Sequence, residues 1–117
     1  MPALGGRIPE AGEVYWIDYG DPTGHEQGGR RPSVILTPHA YNERSSVLVA
    51  CPISRTRREW PFQVPISRVG LITGYALIDQ IRVLDPHARA ARFAGSVSAE
   101  TLAAIKAALQ SLLDLVG

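Results

Sequence analysis

The most informative stretch of this sequence is Gly24-His25-Glu26-Gln27-Gly28-Gly29-Arg30-Arg31-Pro32. Its glycines give the backbone freedom and its proline cannot sit in a central ladder of a sheet, so the stretch is predicted to be a loop. An imidazole, a carboxylate, an amide and two guanidiniums crowd into it. Apolar, strand-like runs flank it at residues 14–19 and 33–36. The pattern predicts a chemically active loop held between two strands of a rigid sheet, which is a common place for function.

Further apolar and β-branched runs along the chain are typical of short strands. The predicted strands are 13–19, 33–37, 47–51, 62–64 and 75–84. The run 47–51 is continuously apolar and is expected to be central, whereas the last run carries Asp79 and Gln80 in its middle. Residues 39–43 are expected to form a turn or one helical turn, and residues 1–11 are expected to fray.

One helix is predicted at the end of the chain. Ser98 suits its N-cap, and Glu100 in the first turn suits the helix dipole. Spacings of three and four residues generate an apolar stripe of Leu102, Ile105, Leu109, Leu112 and Val116. Several short strands followed by a terminal helix predict a mainly β fold, a small and strongly bent antiparallel barrel with a C-terminal α-helix, as one domain over residues 1–117.

The charge balance limits the possible partners. A net charge of +1 excludes a uniformly basic nucleic-acid binder, so any affinity for phosphate must come from a local patch. Eleven of the twelve Lys and Arg residues are Arg. This bias reflects either a need for the planar fork that matches phosphate or the codon usage of a GC-rich genome.

The sequence shows no membrane-spanning segment, no signal peptide and no motif for a metal or cofactor. One cysteine excludes an internal disulfide and suits a reducing cytosol, so a cytoplasmic location is expected. No apolar run approaches the roughly 20 residues of a membrane span, and no signal peptide is seen. The histidines are far apart and no CxxC or HExxH pattern occurs, so neither a metal nor a cofactor is expected. Cys51 follows four apolar residues and is expected to be a buried hydrophobe rather than a nucleophile.

Two polar residues stand where predicted strands begin or end. Arg31 lies where the loop re-enters the sheet, and Ser54 lies where the central strand leaves it. If these strands are neighbours, a guanidinium and a hydroxyl converge, which suits a phosphodiester. The guanidinium binds the non-bridging oxygens bidentately and offsets charge in the transition state, while the hydroxyl donates a hydrogen bond or relays a proton.

Structural roles for these residues remain open. Arg31 can instead bridge Glu26 or Asp18, and Ser54 can merely cap a strand end. The Arg-rich connection 55–58 is either a holder of flanking phosphates or a solvated loop, and the neighbouring Trp60 is either a stacking platform for a base or a core residue. Asp79, in an apolar run, is expected to be buried and to need a partner, for which Arg31 and Arg82 are the candidates.

The motifs resemble a known family. Those that carry the resemblance are Gly12-Glu13-Val14-Tyr15-Trp16-Ile17-Asp18, Gly24-His25-Glu26-Gln27, Arg31-Pro32, Pro38-x-x-Tyr41-Asn42, Pro52-Ile53-Ser54 and Asp79-Gln80. In this order, from about residue 12 to the end, the chain is similar to the MazF/PemK/Kid toxins of bacterial toxin–antitoxin pairs. The resemblance implies an SH3-like barrel, shared with the gyrase poison CcdB, plus a C-terminal helix. It also implies metal-independent, ribosome-independent cleavage of single-stranded RNA at short sequences.

The resemblance further implies a homodimer and a cognate antitoxin whose extended C-terminal tail occupies the RNA groove. DNA would be reached only through that antitoxin, and no membrane partner is implied. The RNA-binding residues are then expected among Gln27, Arg30, Arg55, Arg57, Arg58, Trp60, Gln80 and Arg82.

Catalytic residues transfer in part. In MazF-like members an Arg before the conserved Pro and a Thr after the central strand form the catalytic pair, and Arg31 and Ser54 hold those places here. In Kid-like members a His, an Arg and an Asp have assigned roles. His25 and Asp79 match, whereas Leu77 replaces the Arg. Glu26 matches both groups.

The mechanism that the resemblance implies is attack of the 2′-OH on the adjacent phosphorus, giving a 2′,3′-cyclic phosphate and a 5′-OH. Arg31 would stabilise the phosphorane. Since arginine stays protonated, it is a poor general base. Asp79, Glu26 or His25 would therefore accept the proton.

Two other functions are compatible with the same barrel. A non-enzymatic gyrase poison needs an exposed and often aromatic C-terminal end, and residues 112–117 contain no aromatic residue, which argues against it. An inactive barrel would bind RNA and leave it intact. The presence of Arg31, Ser54 and Asp79 disfavours that alternative.

Overall fold

The protein is a curved antiparallel sheet with one long helix, as described by a computed structural model for residues 4–114. The elements in chain order are β1 (Glu13–Asp18), β2 (Arg30–Ile35), α1 (His39–Arg44), β3 (Leu48–Ser54), β4 (Gln63–Pro65), β5 (Tyr75–Leu77), a 3-10 turn (Ile78–Gln80), β6 (Arg82–Leu84), β7 (Arg92–Ser96) and α2 (Ala99–Leu113). The predicted fold class, mainly β and antiparallel with a C-terminal helix, is confirmed.

Strand β3 is the centre of the sheet, as its apolar sequence predicts. The order of strands is β4-β5-β3-β2-β1-β7, and β6 also pairs with β3. The first half of β3 pairs with β6 and its last residues pair with β5, while β2 lies along its other side. One strand therefore serves two ladders on the same edge, which bends the sheet into a barrel-like shape that is not closed.

Apolar side chains cover both faces of the central strands. Tyr15, Ile17 and Ile35 belong to one buried cluster. Val14 and Val34, their neighbours in sequence, belong to a second cluster that includes Ile105 of α2. Because successive residues of a strand point to opposite faces, this two-sided core explains why the strand sequences are apolar with little alternation.

Helix α2 begins as predicted. The Ser98 Oγ accepts a hydrogen bond from the Thr101 backbone N–H at 3.1 Å, which is the N-cap contact. Ile105 is fully buried, and Leu109 and Leu112 are half-buried against the sheet. Val116, the last residue of the predicted stripe, lies outside the described residues. No helix among residues 4–114 is long and apolar enough to cross a bilayer.

The prediction of one long strand over residues 75–84 is wrong. Continuing the pairing of Ala76 with Ile53 would place Ile81 opposite Leu48, but Leu84 occupies that position. The two ladders on β3 are therefore offset by three residues. The 3-10 turn 78–80 takes up those residues and carries Asp79 and Gln80 out of the sheet.

Two other segments differ from the sequence expectation. Strand β7 was not predicted, because Arg92, Gly95 and Ser96 interrupt its apolar pattern. The N-terminal segment, which is expected to fray, is attached at two points, although residues 5–7 are exposed: Leu4 joins the core, and the Asn42 Nδ2 donates to the Pro9 carbonyl at 2.8 Å. Residues 1–3 lie outside the described part of the chain.

A buried thiol and two buried tyrosine hydroxyls should make the fold less stable at alkaline pH. Burial, with a smaller contribution from Asp79, raises the pKa of the Cys51 thiol above its ordinary value of 9.0. Burial also raises the pKa of Tyr19 to about 12, and burial together with the Glu13 charge raises the pKa of Tyr15. Since the unfolded chain releases these protons at lower pH than the folded chain, the free energy of unfolding falls above about pH 9, by up to about 1.4 kcal/mol per pH unit for each group.

Urea unfolding from about pH 8 to about pH 11 measures this loss of free energy of unfolding. The Cys51→Ala variant should lack the part of the loss that begins near the ordinary pKa of the thiol. A free energy of unfolding that stays constant over this range would contradict the prediction.

Gly74 allows β5 to approach the end of β3. Its φ is +141°, and a Cβ there would overlap the Ser54 carbonyl oxygen. Gly74→Ala should therefore lower the free energy of unfolding by roughly 2–5 kcal/mol, from backbone strain plus overpacking. Gly70→Ala is the matched control, since Gly70 has φ +58° with no atom near its missing Cβ; it should cost only about 1–2 kcal/mol. Equal losses in chemical denaturation would refute the close approach.

Candidate RNA-cleavage site

A groove of about 810 Å³ opens between the ends of β2 and β3 and the connections next to them. Arg30, Arg31, Arg55 and Arg58 line it, and no Asp or Glu is among its lining residues. Although the whole chain carries a net charge of only +1, four of its twelve Lys and Arg residues therefore line one concave surface. A cleft lined by one sign of charge attracts ligands of the opposite sign.

The structure brings Arg31 and Ser54 to this groove. Strands β2 and β3 pair Ser33 with Pro52. Arg31 and Ser54 each lie two residues beyond this last β2–β3 pair, and both line the groove. The neighbouring strands that the sequence argument requires are thus present.

The Arg31 guanidinium is fixed at one end and open at the other. Its Nε donates to the Gly28 carbonyl at 2.9 Å. Within residues 4–114 its terminal nitrogens make no hydrogen bond or ion pair, so the alternative partners Glu26 and Asp18 are not used. This arrangement leaves the bidentate edge of the fork free for a ligand.

Ser54 is buried at the end of β3 and its oxygen is oriented. The Ser54 Oγ accepts a hydrogen bond from the Thr56 backbone N–H at 3.2 Å. In the described part of the chain its hydroxyl donates to no other group, so the proton is available to a ligand in the groove. Ser54 thus caps the turn after β3, as the structural alternative has it, and still presents a donor.

Asp79 is not the buried, arginine-paired carboxylate that the sequence predicts. It lies exposed on the 3-10 turn, and its Oδ2 accepts a hydrogen bond from the Trp60 Nε1 at 3.0 Å. The offset between the two ladders on β3 turns it outward. Arg82, the other proposed partner, instead donates to the Tyr19 carbonyl at 3.4 Å and lies over the Tyr19 ring.

A second hollow of about 450 Å³ adjoins the groove. Arg57 and Trp60 line it, and Arg58 and Gln63 line both spaces. Trp60 is half-exposed, its ring meets Phe62 edge to face at 5.6 Å, and Asp79 fixes its indole nitrogen. A held, half-exposed indole is the kind of surface on which a base can stack.

The remaining predicted residues differ in whether they line the groove. His25 and Glu26 are exposed on the loop and do not line it. Gln27 does line it, and its Oε1 is the buried side-chain polar atom that lacks a partner among residues 4–114. Both polar atoms of the Gln80 side chain are bonded to this loop, and the Arg30 Nη2 donates to the Ala90 carbonyl.

Sequence reasoning missed Gln63. It is buried in β4, its Oε1 accepts from the Arg58 backbone N–H at 2.7 Å, and its Nε2 donates to the Thr56 carbonyl at 2.8 Å. The only available signal was a polar residue between Phe62 and Val64. Trp16, Pro32 and Leu71, which form apolar walls of the groove, were also not singled out as site residues.

Two other kinds of chemistry, metal binding and cysteine chemistry, have little support among the described residues. No three His, Cys, Asp or Glu side chains between Leu4 and Asp114 are grouped as metal ligands. Cys51 is a buried thiol whose pKa is raised by burial, so the expectation of a small buried hydrophobe is confirmed.

Comparisons with known proteins agree with the fold and the motifs. Residues 10–113 match the family of PemK-like, MazF-like toxins of type II toxin–antitoxin systems. The endoribonuclease toxin MazF of Escherichia coli K12 is 34% identical over 106 residues, covering 91% of this chain and 95% of the relative.

Solved structures are similar over the same span. MazF from Deinococcus radiodurans superposes with a TM-score of 0.85 at 36% identity, covering 92% of this chain and 98% of that one. In a MazE–MazF structure from the same organism the matching chain has a TM-score of 0.79 at 33% identity, with 92% and 98% coverage. On the match over residues 10–113 and these relatives, the chain belongs to the PemK-like, MazF-like toxins of type II toxin–antitoxin systems.

Proposed function

We propose that this chain is a sequence-specific endoribonuclease that cleaves single-stranded RNA in the cytoplasm without a metal ion. The observation that carries the proposal is the groove without Asp or Glu in its lining, to which the ends of β2 and β3 bring both the Arg31 guanidinium with its free edge and Ser54. Related proteins of the family are named endoribonucleases. Phosphate is the ligand that an arginine-lined cleft with a nearby hydroxyl donor fits best.

The proposed reaction is a transesterification within the RNA strand. The ribose 2′-OH attacks the adjacent phosphorus and the bond to the 5′ oxygen breaks, which yields a 2′,3′-cyclic phosphate and a 5′-OH. The terminal nitrogens of Arg31 bind the non-bridging oxygens and stabilise the charge that builds on them. Ser54 donates to one of these oxygens or relays the proton to the leaving oxygen. DNA lacks the attacking group and is not cleaved.

The proton from the 2′-OH needs a separate acceptor, because an arginine does not deprotonate in this pH range. His25 and Glu26 are the better candidates, since their loop also carries Gln27 into the groove. Asp79 is already engaged by the Trp60 indole. We therefore assign Asp79 an auxiliary role, in which it orients the stacking surface.

RNA on either side of the cut follows the cationic surface. Arg55, Arg57 and Arg58 hold flanking phosphates, Arg30 adds charge at the groove wall, and a base stacks on Trp60. The Gln80 amide is bonded to the Gln27 backbone N–H and the His25 carbonyl, and the Arg82 Nη1 donates to the Tyr19 carbonyl, so these two side chains contribute less to RNA contact.

The proposal also covers the protein partners of this chain. The chain forms a homodimer, and a cognate antitoxin neutralises it by laying an extended C-terminal tail in the groove. Structures of related toxins with MazE, or with a cognate antitoxin, support such a partner. Apolar walls at Trp16 and Leu71 beside four arginines suit an extended acidic peptide with apolar side chains.

Substitution of the two central residues tests the activity. In EDTA, Arg31→Ala should lower the rate of RNA cleavage by about 10²–10³-fold or more, the usual effect of removing a transition-state donor. Ser54→Ala should also reduce the rate of RNA cleavage, whereas Ser54→Thr, which keeps the hydroxyl, should still cleave RNA. Arg92→Ala, an exposed cation on β7 outside the groove, is the control. Primer extension on a long transcript measures both rate and cut positions.

Unchanged cutting by a folded Arg31→Ala protein would reject this assignment. RNA that is bound but left intact by the wild type would indicate an inactive barrel. Inhibition of gyrase supercoiling without RNA cleavage would instead indicate a gyrase poison.

Gln27 offers a test of sequence preference. Its Oε1 is buried and lacks a donor, and we propose that the side chain turns into the groove when RNA binds and accepts a hydrogen bond from an unstacked base. Gln27→Ala should lower the preference for cleavage at preferred sequences over other sequences by about 1–3 kcal/mol, roughly 5- to 150-fold. Gln110→Ala, on the exposed face of α2, is the matched control. An identical cleavage pattern and rate in Gln27→Ala would exclude this role.

A further inference from the structure

We propose that Gln80 is a positioning residue of the site: its side-chain amide holds residues 25–27 so that Gly28 can align the Arg31 guanidinium. The catalytic consequence rests on the proposed ribonuclease function. The holding role itself rests on geometry alone.

The Gln80 side chain binds two backbone groups of the loop. Its Oε1 accepts from the Gln27 backbone N–H at 3.1 Å, and its Nε2 donates to the His25 carbonyl at 3.0 Å. The amide therefore binds the loop through one acceptor and one donor, although Gln80 lies more than fifty residues away in sequence.

This pairing is the loop's tertiary attachment. At the base of the loop, Tyr19 donates to the Gly29 carbonyl and Gly29 donates to the Gly20 carbonyl. Between these points the loop is mostly exposed. Within residues 4–114, the hydrogen bonds that join residues 21–28 to elements outside the β1–β2 hairpin all come from Gln80.

The attachment leads directly to Arg31. The residue after Gln27 is Gly28, whose carbonyl accepts from the Arg31 Nε at 2.9 Å. The path from Gln80 to the guanidinium thus consists of the hydrogen bond to the Gln27 N–H, the backbone of Gln27 and Gly28, and the hydrogen bond from the Arg31 Nε to the Gly28 carbonyl. Since a guanidinium is planar, fixing its Nε also fixes the direction of the edge that would bind phosphate.

The opposite wall of the groove is held in the same way. Gln63 accepts from the Arg58 N–H and donates to the Thr56 carbonyl, again two residues apart. Next to Gln80, Asp79 fixes the Trp60 indole on that same connection. Both segments that line the groove are therefore held by glutamine amides from other strands or turns, which is the second layer of support that a precise site needs.

A specific kinetic signature follows. Arg55, Arg58 and Trp60, which would bind flanking RNA, lie on the connection that Gln63 holds. Loss of the Gln80 amide should therefore disturb the orientation of Arg31 while leaving these contacts in place. We expect Gln80→Ala to lower kcat about 10- to 100-fold, the range expected for a small misplacement of a reacting group. KM should change by less than about 3-fold, because these flanking phosphate contacts supply much of the affinity.

The experiment combines kinetics with hydrogen exchange on the full chain. Wild type, Gln80→Ala, Gln80→Glu and the control Gln110→Ala are compared for kcat, KM and the exchange rate of the Gln27 backbone amide by NMR. Gln80→Ala should accelerate that exchange. Gln80→Glu keeps an acceptor for Gln27 but cannot donate to the His25 carbonyl when ionised. It should therefore fall between wild type and Gln80→Ala in both readouts, and it serves if the alanine variant does not fold.

The outcomes separate this inference from the proposed function. If Gln80→Ala cuts at the wild-type rate while Arg31→Ala does not cut, the ribonuclease stands and the positioning role is overturned. Unchanged exchange at Gln27, or a loss confined to KM, overturns it as well. If the wild type cuts no RNA, the proposed function fails, and the exchange rate alone decides whether Gln80 holds the loop.

Discussion

The register between β2 and β3 is the constraint on which the site depends. Ser33 pairs with Pro52, and this register brings Arg31 and Ser54, each two residues beyond that pair, to the same groove where β2 and β3 cease to pair. A slip of one residue would turn either side chain to the other face. The buried cores on both faces oppose such a slip, because it would carry Val34 and Ile35 out of their clusters. The packing of the barrel thus fixes the relation between the guanidinium and the hydroxyl.

A second offset in the same sheet organises the surroundings of that pair. Since β5 and β6 pair with β3 in registers three residues apart, the chain between them leaves the sheet as a 3-10 turn. This turn carries Asp79 to Trp60 and Gln80 to the glycine-rich loop. The irregularity therefore contacts both segments that line the groove, one through Asp79 and the other through Gln80.

Local patterns predicted those parts of the molecule that depend on local physics. The apolar runs of β1 and β3, the Ser98 cap and the stripe through Ile105 all follow from periodicity and capping. Arg31 and Ser54 were found because they stand at strand ends beside a loop. The 3-10 turn was missed because no glycine or proline interrupts residues 75–84; its cause is an offset between two ladders. The roles of Gln63 and Gln80 depend on backbone groups of distant loops, which no sequence pattern encodes.

The most direct test uses an RNA oligonucleotide that spans a mapped cleavage site and carries a 2′-deoxy nucleotide at the cut. Because the attacking hydroxyl is absent, the complex is stable enough for an NMR titration. The account predicts that the largest chemical-shift changes occur at the Arg31 Nε and the Ser54 amide, with smaller changes along residues 55–60. Changes concentrated elsewhere, for example along β7, with Arg31 and Ser54 unaffected, would contradict it.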